Sequence, residues 1–285
     1  MVRWRSVLFV PGNRHDLAAK TIRYGPDAVV LDLEDAVPPS GKVAAREHVA
    51  RAAAELAGAV PLCVRVNPPG TEWFTDDVSS LPAGLAAVVV PKLESRAHAD
   101  AVSDAVGDHA LIAGIETVLG VADAREVLRG PLFVGCYFGA EDYVADLGGV
   151  RTDGNAEVAW ARSFVVVAAR LAGVPAFDMV TIDFGDDARF VAEAREARAL
   201  GYCGKLCIHP RQVGLANECF VPTPGEIDGA TRLLSAFERA GRVTIAFEGQ
   251  MVDEVVAARA RAVLASARTR HEAEGCVVER FPPTR

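Results

Sequence analysis

Eight short apolar runs, each followed by a helix-like segment, constrain this chain more than anything else in it. The runs are Ser6–Val10, Ala28–Leu33, Leu62–Val66, Ala86–Pro91, Ala110–Ile115, Leu132–Phe138, Met179–Phe184 and Lys205–Pro210. Most are continuously apolar and lack the polar alternation of a half-exposed strand, as in parallel sheets covered on both faces. The segments between them, such as KVAAREHVARAAAEL and ARFVAEAREARAL, carry Ala, Arg, Glu and Leu at helical spacing. The second of these stops at GYCG, a glycine signal for a helix end.

Eight such units in sequence predict an α/β fold, a (β/α)8 TIM barrel occupying residues 1–220. A doubly wound open sheet is the alternative. It lacks support, because no G-x-G-x-x-G follows the first run and no G-x-x-x-x-G-K-[ST] occurs anywhere. Residues 221–285 change character: a Pro-rich turn and helix, then a strand-like piece, a Gly turn and a long helix. They read as a C-terminal helical extension outside the closed barrel.

A chain of 285 residues, 51% of them apolar, buries a large core without disulfides or structural metals. Its formal charge of -8 argues against a nucleic-acid surface, so local basic residues must meet any anionic ligand. No run approaches the ~20 apolar residues that span a bilayer, and the N-terminal run is too short for a signal peptide. The six cysteines show no C-x-x-C spacing, and several sit inside apolar runs as small buried hydrophobes. The expectation is a reduced, cytoplasmic protein.

In a barrel the residues at the C-terminal strand ends ring the active-site mouth. Here those positions offer Arg14, Glu34 with Asp35, Arg65 with Asn67, Lys92, Glu116, Glu141 with Asp142, Asp183 and His209. Buried charges are tolerated only when paired or bound to metal. Mixed acids and bases point to a divalent cation held by carboxylates, with Arg and Lys receiving an anionic substrate. There is no H-x-H and no H-E-x-x-H. Carboxylates isolated on separate strands favour a hard ion that keeps several waters, hence Mg²⁺, with Mn²⁺ as the alternative. Glu116 and Asp142, at the ends of adjacent strands, are the natural pair.

Each of these residues has a plainer role open to it. Asp142 could equally cap the helix beginning near Tyr143. Glu141 could be a rim charge, and Asp146, one turn on, reads as structural. Lys92 at a strand end could form a Schiff base; a salt bridge to the surrounding acids fits better, since they would keep it protonated. Asp183 and His209 read as hydrogen-bonded barrel residues.

The stretches RSVLFVPGNR, VVLDLEDAV, VRVNPPGT, VVVPKLES, IAGIET, GAEDYVADLGG, KLCIHPRQV and AFEGQMVD resemble, in order, the citrate lyase beta-subunit-like family. That family is related to malyl-CoA and citramalyl-CoA lyases within the HpcH/HpaI aldolase superfamily. The resemblance implies metal binding by Glu116 and Asp142, and a substrate-holding role for Arg65. It implies an acidic pair, Glu34 and Asp35, orienting water at the ion. Arg14 and Lys42 become partners for coenzyme A phosphates, and Lys92 a further substrate contact. Asp253 would reach the active site of a neighbouring subunit in a homotrimer.

The activity so implied is Mg²⁺-dependent carbon–carbon cleavage of a 3-hydroxy-3-carboxyacyl thioester of the malyl-CoA, citramalyl-CoA or citryl type, through an enolate. A 2-oxo acid and acetyl-CoA are the partners, with no nucleic acid or membrane. Thioesterase or malate-synthase-like activity on the same scaffold is one alternative. A non-catalytic CoA-binding subunit of a larger lyase complex is another.

Overall fold

The computed structural model describes residues 4–130 and 133–278, with side chains through Ala267. Leu132, the head of the sixth predicted run, and the side chain of Cys276 therefore lie outside the described residues. The chain divides into two compact units, Met1–Phe220 and Val221–Arg285.

The first unit is a closed parallel barrel, ordered β1 to β8 with β8 pairing back onto β1. Its strands are β1 (Ser6–Pro11), β2 (Ala28–Asp32), β3 (Leu62–Arg65), β4 (Ala87–Val90), β5 (Leu111–Ile115), β6 (Phe133–Phe138), β7 (Ala176–Asp178) and β8 (Gly204–Cys207). Strand parity explains the continuous apolar runs. On β2, Ala28 and Val30 join the barrel interior, while Val29 and Leu31 join the layer beneath the surrounding helices. Both faces are dry, so both are apolar. The helices obey ordinary boundary chemistry. Asp186 caps the helix Asp187–Leu200 by accepting from the Arg189 N–H, and Gly201 ends it at φ 108°.

The predicted seventh strand is displaced. Pairing with β6 and β8 is taken by Ala176–Asp178, and Asp183 lies in an exposed turn, where its side chain accepts from the Gly185 N–H at 2.9 Å. The β-branched residues of MVTIDF suit a strand, but the register is already filled by the three residues directly before it. Local propensity yields to the pairing partners on either side.

The second unit pairs the helix Pro224–Arg239 with the longer helix Glu254–Val278, joined by a hairpin of β9 (Ile245–Phe247) and β10 (Gln250–Val252). Thr223 and Glu226 form a reciprocal capping box at the first helix. The hairpin turns on Glu248 and Gly249, both at positive φ, the backbone twist a two-residue hairpin prefers. Phe237, Val252 and Ala257 form its small core. Among the described residues no helix is long and apolar enough to cross a membrane.

Candidate active site

The inward parity of β2 and β3 carries beyond their apolar residues to Asp32 and Arg65, which stand opposite each other in register. Arg65 Nε and Nη2 each donate to one Asp32 carboxylate oxygen at 2.7 Å, a two-pronged fit to the guanidinium fork. Asp32 also accepts from the Glu34 and Ala36 N–H groups. Burial would raise the Asp32 pKa; the Arg65 charge and these hydrogen bonds outweigh it and hold the carboxyl below its ordinary value. Arg65 Nη1 lies 2.7 Å from Glu34 Oε2, an ionic contact, since that oxygen has no partner in hydrogen-bonding geometry. Phe9 lies beneath the guanidinium, its ring centroid 5.1 Å away.

Lys92 adopts φ 54°, a left-handed conformation that non-glycine residues seldom occupy. The twist turns its N–H onto Glu116 Oε1 at 3.0 Å, while its ammonium donates to Glu34 Oε1 at 2.6 Å and lies 3.4 Å from Asp142 Oδ1. One residue thus touches three carboxylates. Burial works against the Lys92 charge, but Glu34 outweighs it and the ammonium stays protonated above its usual range. A protonated amine is no nucleophile, so the salt bridge, not the Schiff-base precursor, is what the structure contains.

Glu116 follows β5 with inward parity and is buried. Burial pushes its carboxyl up to about 7, helped by the negative Glu34 and Asp142 and opposed by Arg65 and Lys92. Its carboxylate packs against Gly139, where any Cβ would fall 2.5 Å from the Glu116 Cβ and closer still to Oε2. Asp142 is in the first turn of the helix Ala140–Leu147, whose cap position, Gly139, makes no side-chain cap bond. Its side chain is 37% exposed and is not used as a cap. These groups line a cavity of about 380 Å³ together with Phe9, Asp35, Tyr137, Glu141 and Ile208.

The donor set fits a divalent cation. Around the two bases Arg65 and Lys92 gather five acids, Asp32, Glu34, Asp35, Glu116 and Asp142, so the acids outnumber the bases beside this cavity. Burial is the main reason Glu116 resists ionisation and the neighbouring acids add to it; a bound dication would offset both. Among the described residues no three His, Cys, Asp or Glu groups converge as a ready-made cage. Glu116 and Asp142 would therefore supply two ligands, with water and substrate completing the shell as Mg²⁺ requires.

The remaining predicted residues separate by position. Asp35 lines the cavity but is 62% exposed and 3.8 Å from Arg65, so Asp32, not Asp35, is the buried partner of Glu34 in bracing the guanidinium. Arg14 is at the surface, paired with Asp16. Lys42 is a correction. It is buried, and its ammonium is spent on Leu33 O, Glu34 O and Asn67 Oδ1, all within 2.8 Å, so it pins the loop carrying Glu34 and has no donor left for a phosphate. Asn67 in turn donates to Asp77, which Arg46 also holds. Glu141 pairs with Arg151, and Asp146 accepts from the Val118 N–H. His209 caps the helix Pro210–Cys219 and stacks on Phe184. Asp253, in the second unit, accepts from the Val256 N–H at the start of the long helix.

Two site residues escaped the reading of the sequence. Asp32 sits inside an apolar run, and its signal was parity with Val30 and Ala28. Tyr137, inside the sixth run, reads as core until its neighbours across the barrel are known.

Residues 5–210 match the family model described as HpcH/HpaI aldolase/citrate lyase. The chain is 50% identical over 272 residues to the citrate lyase subunit beta-like protein of Deinococcus radiodurans, covering 91% of this chain and 96% of that one. It is 34% identical to the (3S)-malyl-CoA thioesterase of Cereibacter sphaeroides, covering 93% and 94%. The crystal structure of CitE from Mycobacterium tuberculosis, in complex with magnesium, acetoacetate and coenzyme A, superposes with a TM-score of 0.83 at 35% identity, covering 92% of this chain and 97% of that one.

Proposed function

This chain belongs to the HpcH/HpaI aldolase/citrate lyase family, and from that premise we propose that it is a Mg²⁺-dependent carbon–carbon lyase acting on a 3-hydroxy-3-carboxyacyl-CoA. The observation that carries the proposal is the excess of acids over bases beside a braced arginine at one cavity. Magnesium and coenzyme A in the M. tuberculosis neighbour support it.

Glu116 and Asp142 would hold the ion, which when bound polarises the substrate's hydroxyl and carboxylate and acidifies the hydroxyl. In cleavage a general base would accept the hydroxyl proton, the carbon–carbon bond would break to give a 2-oxo acid and the acetyl-CoA enolate, and a general acid would return a proton to the enolate carbon. Arg65 places a fixed cation where charge grows on the enolate oxygen. Because Asp32 and Glu34 already brace it, little reorganisation is needed when that charge appears. Lys92 holds Glu34 and Glu116 in register from one backbone position. Asp253, contributed by a neighbouring copy in a homotrimer, would exchange the proton at the acetyl carbon. Arg14 would meet coenzyme A phosphates.

A second reading, hydrolysis of the thioester, is favoured by the malyl-CoA thioesterase relative. Incubation of purified protein and Mg²⁺ with malyl-CoA and citramalyl-CoA separates the two. Acetyl-CoA with a 2-oxo acid marks the lyase; free CoA with the intact hydroxy acid marks the thioesterase. Neither product across a thioester panel sinks the enzyme reading. EDTA abolishes turnover if the ion is required.

A further inference from the structure

Beneath the Glu116 carboxylate the barrel interior holds one polar group that no role above uses. Tyr137 lies on β6 with only 2% of its surface exposed, packed edge-on against Phe9. Its hydroxyl is sealed from solvent and has no partner in full hydrogen-bonding geometry, yet Glu116 is near enough to act on it as a hydrogen-bond partner. Room for that hydroxyl is made by Gly114 on β5, where a Cβ would fall 2.5 Å from the Tyr137 oxygen. A phenylalanine would fill this apolar layer without leaving a buried polar atom unpaired, which costs about 1–3 kcal/mol. The hydroxyl therefore needs an acceptor, and the surroundings narrow the choice. Glu116 stands two residues after Gly114 on the same inward parity, and its carboxylate is confined from the other side by Gly139. The phenol keeps its proton, since burial and then the negative Glu116 raise its pKa well above the ordinary value. It can only donate.

We propose that Tyr137 is a positioning residue that donates its hydroxyl to the Glu116 carboxylate from below and fixes which oxygen Glu116 presents to the ion. The inference rests on the reading of Glu116 as a metal ligand. Carboxylates that bind metals are themselves held by hydrogen bonds, and loss of such a support costs about 10- to 100-fold in metal affinity.

The test is direct titration of Mn²⁺ into the full-length protein, followed by electron paramagnetic resonance in the absence of substrate. Tyr137→Phe removes one oxygen and nothing else. The expected result is a Kd raised about 10-fold, with Tm and, at saturating metal, the KM for the thioester unchanged. Glu116→Gln is the control for the underlying reading. If Glu116→Gln binds Mn²⁺ like the wild type, the metal assignment itself falls. If Glu116→Gln loses the ion while Tyr137→Phe binds as tightly as the wild type, or more tightly, the role of Tyr137 is overturned and the assignment of Glu116 stands. A lowered Tm together with a raised thioester KM makes Tyr137 a packing residue and likewise overturns the proposal.

Discussion

The first unit contains two buried charge clusters of similar composition and opposite character. Behind β7 and β8, Arg162 is 1% exposed and grips Asp178 with Nε at 2.7 Å and Nη2 at 3.0 Å. Lys205 donates to Asp178 and to Met179 O and sits 3.4 Å from Glu193, which Thr181, Asn155 and Arg189 also hold. Every member has a partner. Burial would raise Glu193, but Lys205 and these hydrogen bonds prevail and hold it down at about 2. At the mouth, by contrast, Glu116 is pushed up to about 7, Glu34 Oε2 and the Tyr137 hydroxyl lack partners in full hydrogen-bonding geometry, and the acids outnumber the bases. A closed network ties elements of the fold together. An open one, facing a cavity, keeps interactions in reserve for something that arrives.

Substitutions should sort the two clusters by what they damage. Arg162→Met leaves Asp178 buried without its main partner, and the expected loss is about 3–5 kcal/mol of unfolding free energy, measured by urea denaturation. A loss below about 1 kcal/mol would mean that the closed cluster does not hold the fold together. Glu116→Gln should do the reverse. Turnover falls by at least about 10³-fold, roughly 4 kcal/mol in the barrier, while stability holds or improves, because a buried acid under electrostatic pressure becomes neutral.

The pH dependence of stability gives the same contrast in one experiment. Glu193 has an ordinary value of 4.5 and a folded value of about 2, so its contribution is fully present above pH 4.5 and is lost as pH falls toward 2. By the size of that shift it amounts to roughly 3 kcal/mol. Glu116 moves the other way, from 4.5 to about 7. In chelator the protein should therefore lose stability as pH rises from 4.5 to about 7, with no further loss from this group above that. Glu193→Gln flattens the acid arm and Glu116→Gln the neutral arm. Saturating Mg²⁺ should remove the neutral arm in the wild type, since the ion compensates the charge. A neutral arm that survives Mg²⁺ would separate Glu116 from the metal site.

Most of this arrangement was legible in the order of residues. Seven of the eight runs became strands because strand pairing in a parallel barrel needs local apolar stretches, and those are written locally. Arg65, Glu116 and Asp142 were visible because a charge at the end of an apolar run demands a partner. What the order of residues hid depends on facing. Asp32 and Tyr137 look like strand residues until parity puts them on the barrel's inner side, and Asp35, next to Glu34 in sequence, stays at the cavity's exposed rim. The seventh strand was misplaced because MVTIDF has the right propensity in the wrong register. Lys42, which the resemblance offered to coenzyme A phosphates, is drawn inside by three oxygen acceptors from β2's loop and from Asn67. Each failure concerns a three-dimensional neighbour that no window of sequence contains.

The smallest expected effect tests the one arginine of the three that belongs to neither cluster. Arg65 and Arg162 are buried and braced, whereas Arg14 is half exposed and, among the described residues, its side chain pairs with Asp16, two residues away. Exposed pairs of this kind contribute little to folding, so Arg14→Ala should leave Tm unchanged. If Arg14 meets a coenzyme A phosphate, its contribution is equal in ground state and transition state. The thioester KM should then rise a few-fold at constant kcat, and the change should shrink as salt is added, because an exposed ion contact is screened. A pantetheine thioester, which lacks the nucleotide phosphates, supplies the decisive arm. Wild type and Arg14→Ala should handle it alike. A difference that persists with pantetheine would place Arg14 at the acyl end of the substrate, and the contrast between open and closed clusters would then extend to the rim.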